Sequence, residues 1–110
     1  MDETMIISVK QLASSFENVN KDPAAFKLAR DIESFSDYMD PFGYRDYVDE
    51  MHGGDVAKSI NSLYNDIVSG DIESVLDWLA EQATDINLDK DDQRMAFDLF
   101  YRLFEYRKER

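Results

Sequence analysis

The sequence predicts an all-α fold: a compact bundle of five or six short helices forming a single acidic domain over residues 1–110. Apolar residues return every three or four positions along most of the chain, the spacing of one helix face. The four glycines and two prolines fall between these stripes and punctuate them. Hydrophobic residues make up 44% of the chain, enough for a packed core and too much for a disordered acidic tail.

Ile6 to Val19 reads as an amphipathic helix through Val9, Leu12, Ala13 and Phe16, with a short N-terminal strand at Met5 to Val9 as the alternative. Asp22-Pro23 starts the next helix, because Asp caps free amides and Pro suits the first turn. Its stripe is Ala25, Leu28, Ala29, Ile32, Phe35 and Met39, and Pro41 ends it. Tyr44 to Val48 reads as a helical turn that packs its aromatics on the core. After Gly53-Gly54, Asp55 caps a helix carrying Val56, Ile60, Leu63, Tyr64, Ile67 and Val68, the best-formed stripe of the chain. Ser69-Gly70-Asp71 makes a tight helical hairpin, with Gly70 in the left-handed position and Asp71 as the next N-cap. Ile72, Val75, Leu76, Leu79 and Ala83 line the second arm. An acidic connection then leads to a last helix, about Asp91 to Lys108, with Met95, Ala96, Leu99, Phe100 and Leu103 on one side.

Twenty-four acidic against twelve basic side chains leave a net charge of −12, a surface that repels phosphate backbones and argues against direct nucleic-acid binding. Without cysteine there is no disulfide framework and no thiolate zinc site. Met5-Ile6-Ile7 is short and follows acids instead of basic residues, unlike a signal peptide or a membrane span, so a cytoplasmic address is expected.

Chemistry has few footholds, and an enzyme is not expected. The single histidine, His52, lies before Gly53-Gly54 and reads as an exposed loop residue. No nucleophile triad, Walker loop or GxGxxG is present, so no catalytic residue and no cofactor are assigned. Asp85, Asn87, Asp89 and Asp91 alternate like the start of a calcium loop. However, Lys90 stands where the sharp turn needs Gly and Ala96 where a bidentate Glu would close the shell. A solvated capping loop is the expected reading, with no metal.

The acids are clustered. Residues 31–55 hold eight carboxylates and one basic residue, Arg45; residues 66–92 hold nine and one, Lys90. Glu73, Asp77 and Glu81 stand four apart on one helix, and Asp85 extends the row if the helix persists. At about 1.5 Å of rise per residue this sets a carboxylate roughly every 6 Å, a spacing that suits a groove of Lys and Arg built for nucleic acid. The bland alternative is the wet face of an amphipathic helix. Asp46 and Asp49 add to the negative field, and Tyr44, Tyr47 and Trp78, set among acids, are candidate anchoring aromatics. On the last helix Phe97, Tyr101 and Phe104 form a second apolar stripe. The helix is then central and covered on both sides, the preferred reading, or the stripe is an interface for a homodimer or a partner.

Asp40-Pro41-Phe42-Gly43-Tyr44-Arg45-Asp46-Tyr47-Val48-Asp49, followed by Ile60-x-x-Leu63-Tyr64-x-Asp66-Ile67-x-x-Gly70 and Val75-Leu76-x-x-Leu79, resembles the YodL-like small domain found on plasmids, conjugative elements and phages of Gram-positive bacteria. The resemblance covers roughly residues 26 to 85 and departs from the pattern at Gly43, where members carry an acidic residue. It implies an accessory protein of a mobile element, and such elements carry antirestriction and anti-CRISPR inhibitors. Together with the charge, it makes the expected function inhibition of a host defence nuclease, foremost a type II CRISPR effector, through a surface that imitates nucleic acid. A non-enzymatic interaction or scaffold module of a conjugative element or plasmid is the alternative.

Overall fold

The computed structural model describes residues 22–109, and the expected N-terminal helix or strand lies outside them. Five α-helices follow in chain order: α1 (Pro23–Met39), α2 (Pro41–His52), α3 (Val56–Ser69), α4 (Glu73–Thr84) and α5 (Lys90–Glu109). Among the described residues there is no strand, and no helix is long and apolar enough to cross a membrane.

Local chemistry sets the boundaries. The Asp22 carboxylate accepts the Ala25 amide at 3.2 Å, with Pro23 in the first turn behind it. Asp40-Pro41 repeats the device, because Asp40 accepts the Gly43 amide at 3.1 Å and caps a second helix directly after the first. The expected turn over Tyr44 to Val48 is therefore a twelve-residue helix. Gly43 sits where this cap closes, and a Cβ there would run into the Asp40 carboxylate. Asp55 caps α3 through the amides of Ala57 and Lys58.

Gly70, at φ 84°, ends α3 in the left-handed region, while the Asp71 amide bonds back to the Asp66 carbonyl at 2.9 Å. The cap of α4 falls on Ile72, one residue beyond Asp71, and it is held by burial of Ile72 without a side-chain hydrogen bond. In α5, Asp91 and Asp92 occupy the first turn and Arg107 and Lys108 the last, the favourable sense for the helix dipole.

One core joins α1, α3, α4 and α5: Leu28, Ile32 and Phe35 from α1, Tyr64 and Ile67 from α3, Leu76 and Leu79 from α4, and Leu99 and Leu103 from α5. Ala25, Ala29 and Ala96 are fully buried, and their small size lets backbones approach closely. Burying each Leu or Ile contributes about 1.5–3 kcal/mol. The α4 and α5 arms form the tightest helix pair, and α1 lies across the middle of the molecule, touching α2, α3 and α5. Asp22 at the head of α1 accepts a hydrogen bond from the Tyr106 hydroxyl near the end of α5.

The second stripe of α5 departs from expectation. Phe97 is 59%, Tyr101 55% and Phe104 38% exposed, so among the described residues α5 is covered on one side only. Met95, expected inside, is exposed as well. Phe97 stacks on Tyr101 and Phe100 on Phe104, with the Arg107 guanidinium 5.9 Å from the Phe104 ring.

A candidate partner-binding cleft

Four helices meet around a cleft of about 360 Å³. Glu33 and Ser36 reach it from α1, Tyr47 from α2, Ser59, Ser62 and Asp66 from α3, and Ser74 and Trp78 from α4. Tyr47 and Trp78, 31 positions apart in the chain, thus line one depression, bordered by the two helices that carry the expected carboxylates. Among the described residues, no Lys or Arg lines it.

Glu33 dominates the interior of the cleft. It is 93% buried, its Oε1 accepts the Ser59 hydroxyl, and among the described residues no Lys or Arg lies within ion-pair distance. Burial pushes its carboxyl above the usual range, while the Ser59 and Tyr44 hydroxyls and the nearby His52 pull the other way. Asp66 is also raised, by burial and then by the charge of Asp71. The Tyr47 phenol is raised by burial and by the charges of Glu33 and Asp66, so it lies within the field of both carboxylates.

The cleft walls are braced. Trp78 stands edge-on to Phe35 with ring centroids 5.7 Å apart, and Tyr47 edge-on to His52 at 5.5 Å. Trp78, off the α4 stripe, finds this bracing partner on α1. His52 is half-buried in the last turn of α2, which corrects the exposed loop histidine of the sequence reading, and its Nε2 is buried without a hydrogen-bond partner among the described residues.

Tyr44 is buried and cannot anchor a partner at the surface. Burial first, then the charges of Glu33 and Asp37, push its phenol up to about 12. It serves the site from beneath, as a neutral hydroxyl beside Glu33. Asp46 and Asp49 are exposed on α2, and Asp77 and Glu81 on α4.

The expected row of four is broken at both ends. Arg107 of α5 pairs with Glu73, and α4 stops at Thr84, so Asp85 leaves the helix and its carboxylate accepts the Asn87 amide at 2.9 Å. The 85–89 segment is a capping loop, in which the Asp85 carbonyl also accepts the Leu88 amide and the Gln93 side chain. Among the described residues, no grouping of three or more His, Asp or Glu is placed to hold a metal ion.

The paired cations lie elsewhere. The ion pairs among the described residues are Lys27–Asp31 at 3.1 Å, Arg102–Asp31 at 3.0 Å, Arg102–Asp98 at 3.8 Å and Arg107–Glu73, and every cation in them belongs to α1 or α5. Among the described residues, the carboxylates around the cleft have none.

Sequence reasoning missed Glu33, Ser59, Asp66 and His52. A signal existed for the first: Glu33 stands four residues after Ala29, on the apolar stripe of α1, where a carboxylate is out of place. No family model, curated protein or solved structure matches this chain.

Proposed function

We propose that this protein is a non-enzymatic inhibitor that binds a basic, nucleic-acid-handling protein, foremost a type II CRISPR effector, through the carboxylate-rich surface around the Tyr47–Trp78 cleft. The observation that carries this reading is the segregation of charge. Among the described residues Asp46, Asp49, Asp66, Asp77 and Glu81 form no ion pair with Lys or Arg, whereas the paired cations sit on α1 and α5. An unneutralised surface of this kind steers a cationic groove toward it, and the attraction weakens as salt is added. The choice of a CRISPR effector as first target comes from the sequence resemblance to YodL-like domains of mobile elements.

The test is co-expression of the full chain with a programmed nuclease and measurement of target-plasmid cleavage. Protection that is lost in the variant combining Asp46→Lys, Asp49→Lys, Asp77→Lys and Glu81→Lys is expected. Undiminished cleavage across several effector types, together with intact restriction, refutes the reading.

The exposed Phe97, Tyr101 and Phe104 stripe favours a second reading, an interaction or scaffold module that dimerises or docks through α5. Sedimentation then shows a concentration-dependent dimer that Phe97→Glu abolishes.

A further inference from the structure

We propose that the Tyr47–Trp78 cleft is a receptor for a guanidinium group, and that its occupant is an arginine side chain of the partner protein. The inference rests on the reading above, in that the partner is basic, and it adds where one of its side chains is held.

Three features of the cleft converge on this chemistry. First, Glu33 is a carboxylate buried inside the molecule with hydroxyl neighbours, with His52 nearby, and with no Lys or Arg paired to it among the described residues. Such a group is costly to bury unless a cation joins it. Asp66 lies in the same cleft, and Tyr47 feels both charges, so the two carboxylates address one space.

Second, Tyr47 and Trp78 line that space, and each is held in place by a second aromatic ring. Aromatic faces attract cations, Trp most strongly, and a planar guanidinium also stacks on them.

Third, the serines are acceptors in the right place. Ser36, Ser62 and Ser74 contribute hydroxyls from three different helices around the cavity. A guanidinium brings five N–H donors and no acceptor, so it needs carboxylates and hydroxyls on several sides. A lysine ammonium is a compact point charge that would use fewer of them. A cleft of about 360 Å³ has room for the group and its alkyl stem.

Trp78 is the only tryptophan of the chain, so its fluorescence reports directly on the cleft. The experiment titrates the full chain with Nα-acetyl-arginine amide and with Nα-acetyl-citrulline amide, an uncharged analogue of nearly the same shape. A saturable change in Trp78 emission with the arginine compound, in the millimolar range expected of a single side chain, is the predicted result. The citrulline compound should produce none.

Glu33→Gln and, separately, Asp66→Asn should each weaken the arginine titration by roughly tenfold, with far-UV circular dichroism unchanged. Asp98→Asn, on the α1–α5 seam, should leave it as in wild type. Equal response to citrulline, no saturation, or undiminished binding by both cleft variants overturns the inference. The two proposals fail separately. Nuclease inhibition that persists while arginine does not bind removes the guanidinium site and keeps the inhibitor. A cleft that binds arginine in a protein that protects no plasmid does the reverse.

Discussion

Replacing Glu33 by Gln removes a buried charge while keeping an acceptor for the Ser59 hydroxyl, and its effect on stability should depend on pH in a defined sense. Burial raises the Glu33 carboxyl above its ordinary value of 4.5, more than Ser59, Tyr44 and His52 lower it. The folded chain therefore holds this proton to higher pH than the unfolded chain does. Between the two pKa values the folded state binds more protons, and stability falls as pH rises. The contribution of Glu33 is complete below 4.5 and is lost as pH climbs through the raised folded value.

Gln cannot ionise, so Glu33→Gln escapes that loss. Each pKa unit corresponds to about 1.4 kcal/mol, and the neighbouring hydroxyls offset part of the burial. At neutral pH the variant should therefore gain on the order of 1 kcal/mol, roughly 4 °C in Tm for a domain of this size. Urea unfolding of both proteins at steps from about pH 4 to about pH 7.5 gives the difference curve. A difference that is flat with pH, or a variant less stable than wild type at neutral pH, refutes the placement of a buried, charge-unpaired carboxylate at residue 33.

Leu79 is fully buried between α4 and the rest of the core, so Leu79→Ala should cost about 2–5 kcal/mol, whereas Phe97→Ala on the exposed stripe should stay within about 0.5 kcal/mol; thermal unfolding distinguishes them. Asp31 behaves opposite to Glu33. Burial disfavours its charge, but the hydrogen bonds and charges of Arg102 and Lys27 prevail and hold the carboxyl below 3.8. Its contribution is present above that value and fades as pH falls, so Asp31→Asn should cost about 0.5–1 kcal/mol at neutral pH and almost nothing in acid, as read by the same urea series. Gly43→Ala forces the Asp40 carboxylate off the Gly43 amide and should cost about 1 kcal/mol, the usual worth of an N-cap, visible as a lower urea midpoint.

The helices were readable where punctuation and stripe agree. Asp22-Pro23, Pro41, Asp55 and Gly70 mark boundaries of α1 to α3, and the buried residues of α1, α4 and α5 come from the stripes that the spacing marks out. The sequence understated α2, because only Tyr44 and Val48 of its twelve residues are buried and most of the helix carries no apolar pattern. Its real signal was the second Asp-Pro, a copy of the cap that starts α1. The charge row was half legible. Asp77 and Glu81 are as open as periodicity implies, but pairing of Glu73 with Arg107 depends on α5 folding back along α4, a tertiary event.

The cleft could not be read at all in advance, since its walls come from four helices. Trp78 and Tyr47 stood out as aromatics among acids, but that they share one space follows only from α1 packing on α2 and α3, with Trp78 of α4 set against Phe35 of α1. Glu33 looked like one acid among many because a helical wheel gives the stripe and not what lies opposite it.

The contact between Asp22 and Tyr106 brings together two points 84 positions apart and closes the described bundle into a ring. Because Asp22 and Tyr106 are neighbours, the described helices do not depend on an unbroken link between α2 and α3. Opening residues 22–109 at Gly53-Gly54 and joining Asp22 to the end of α5 with a short flexible tether should yield a circular permutant that keeps the interior intact. In that permutant α2 and α3 become terminal, so the order in which helices emerge during synthesis can be changed without altering the surface offered to a partner.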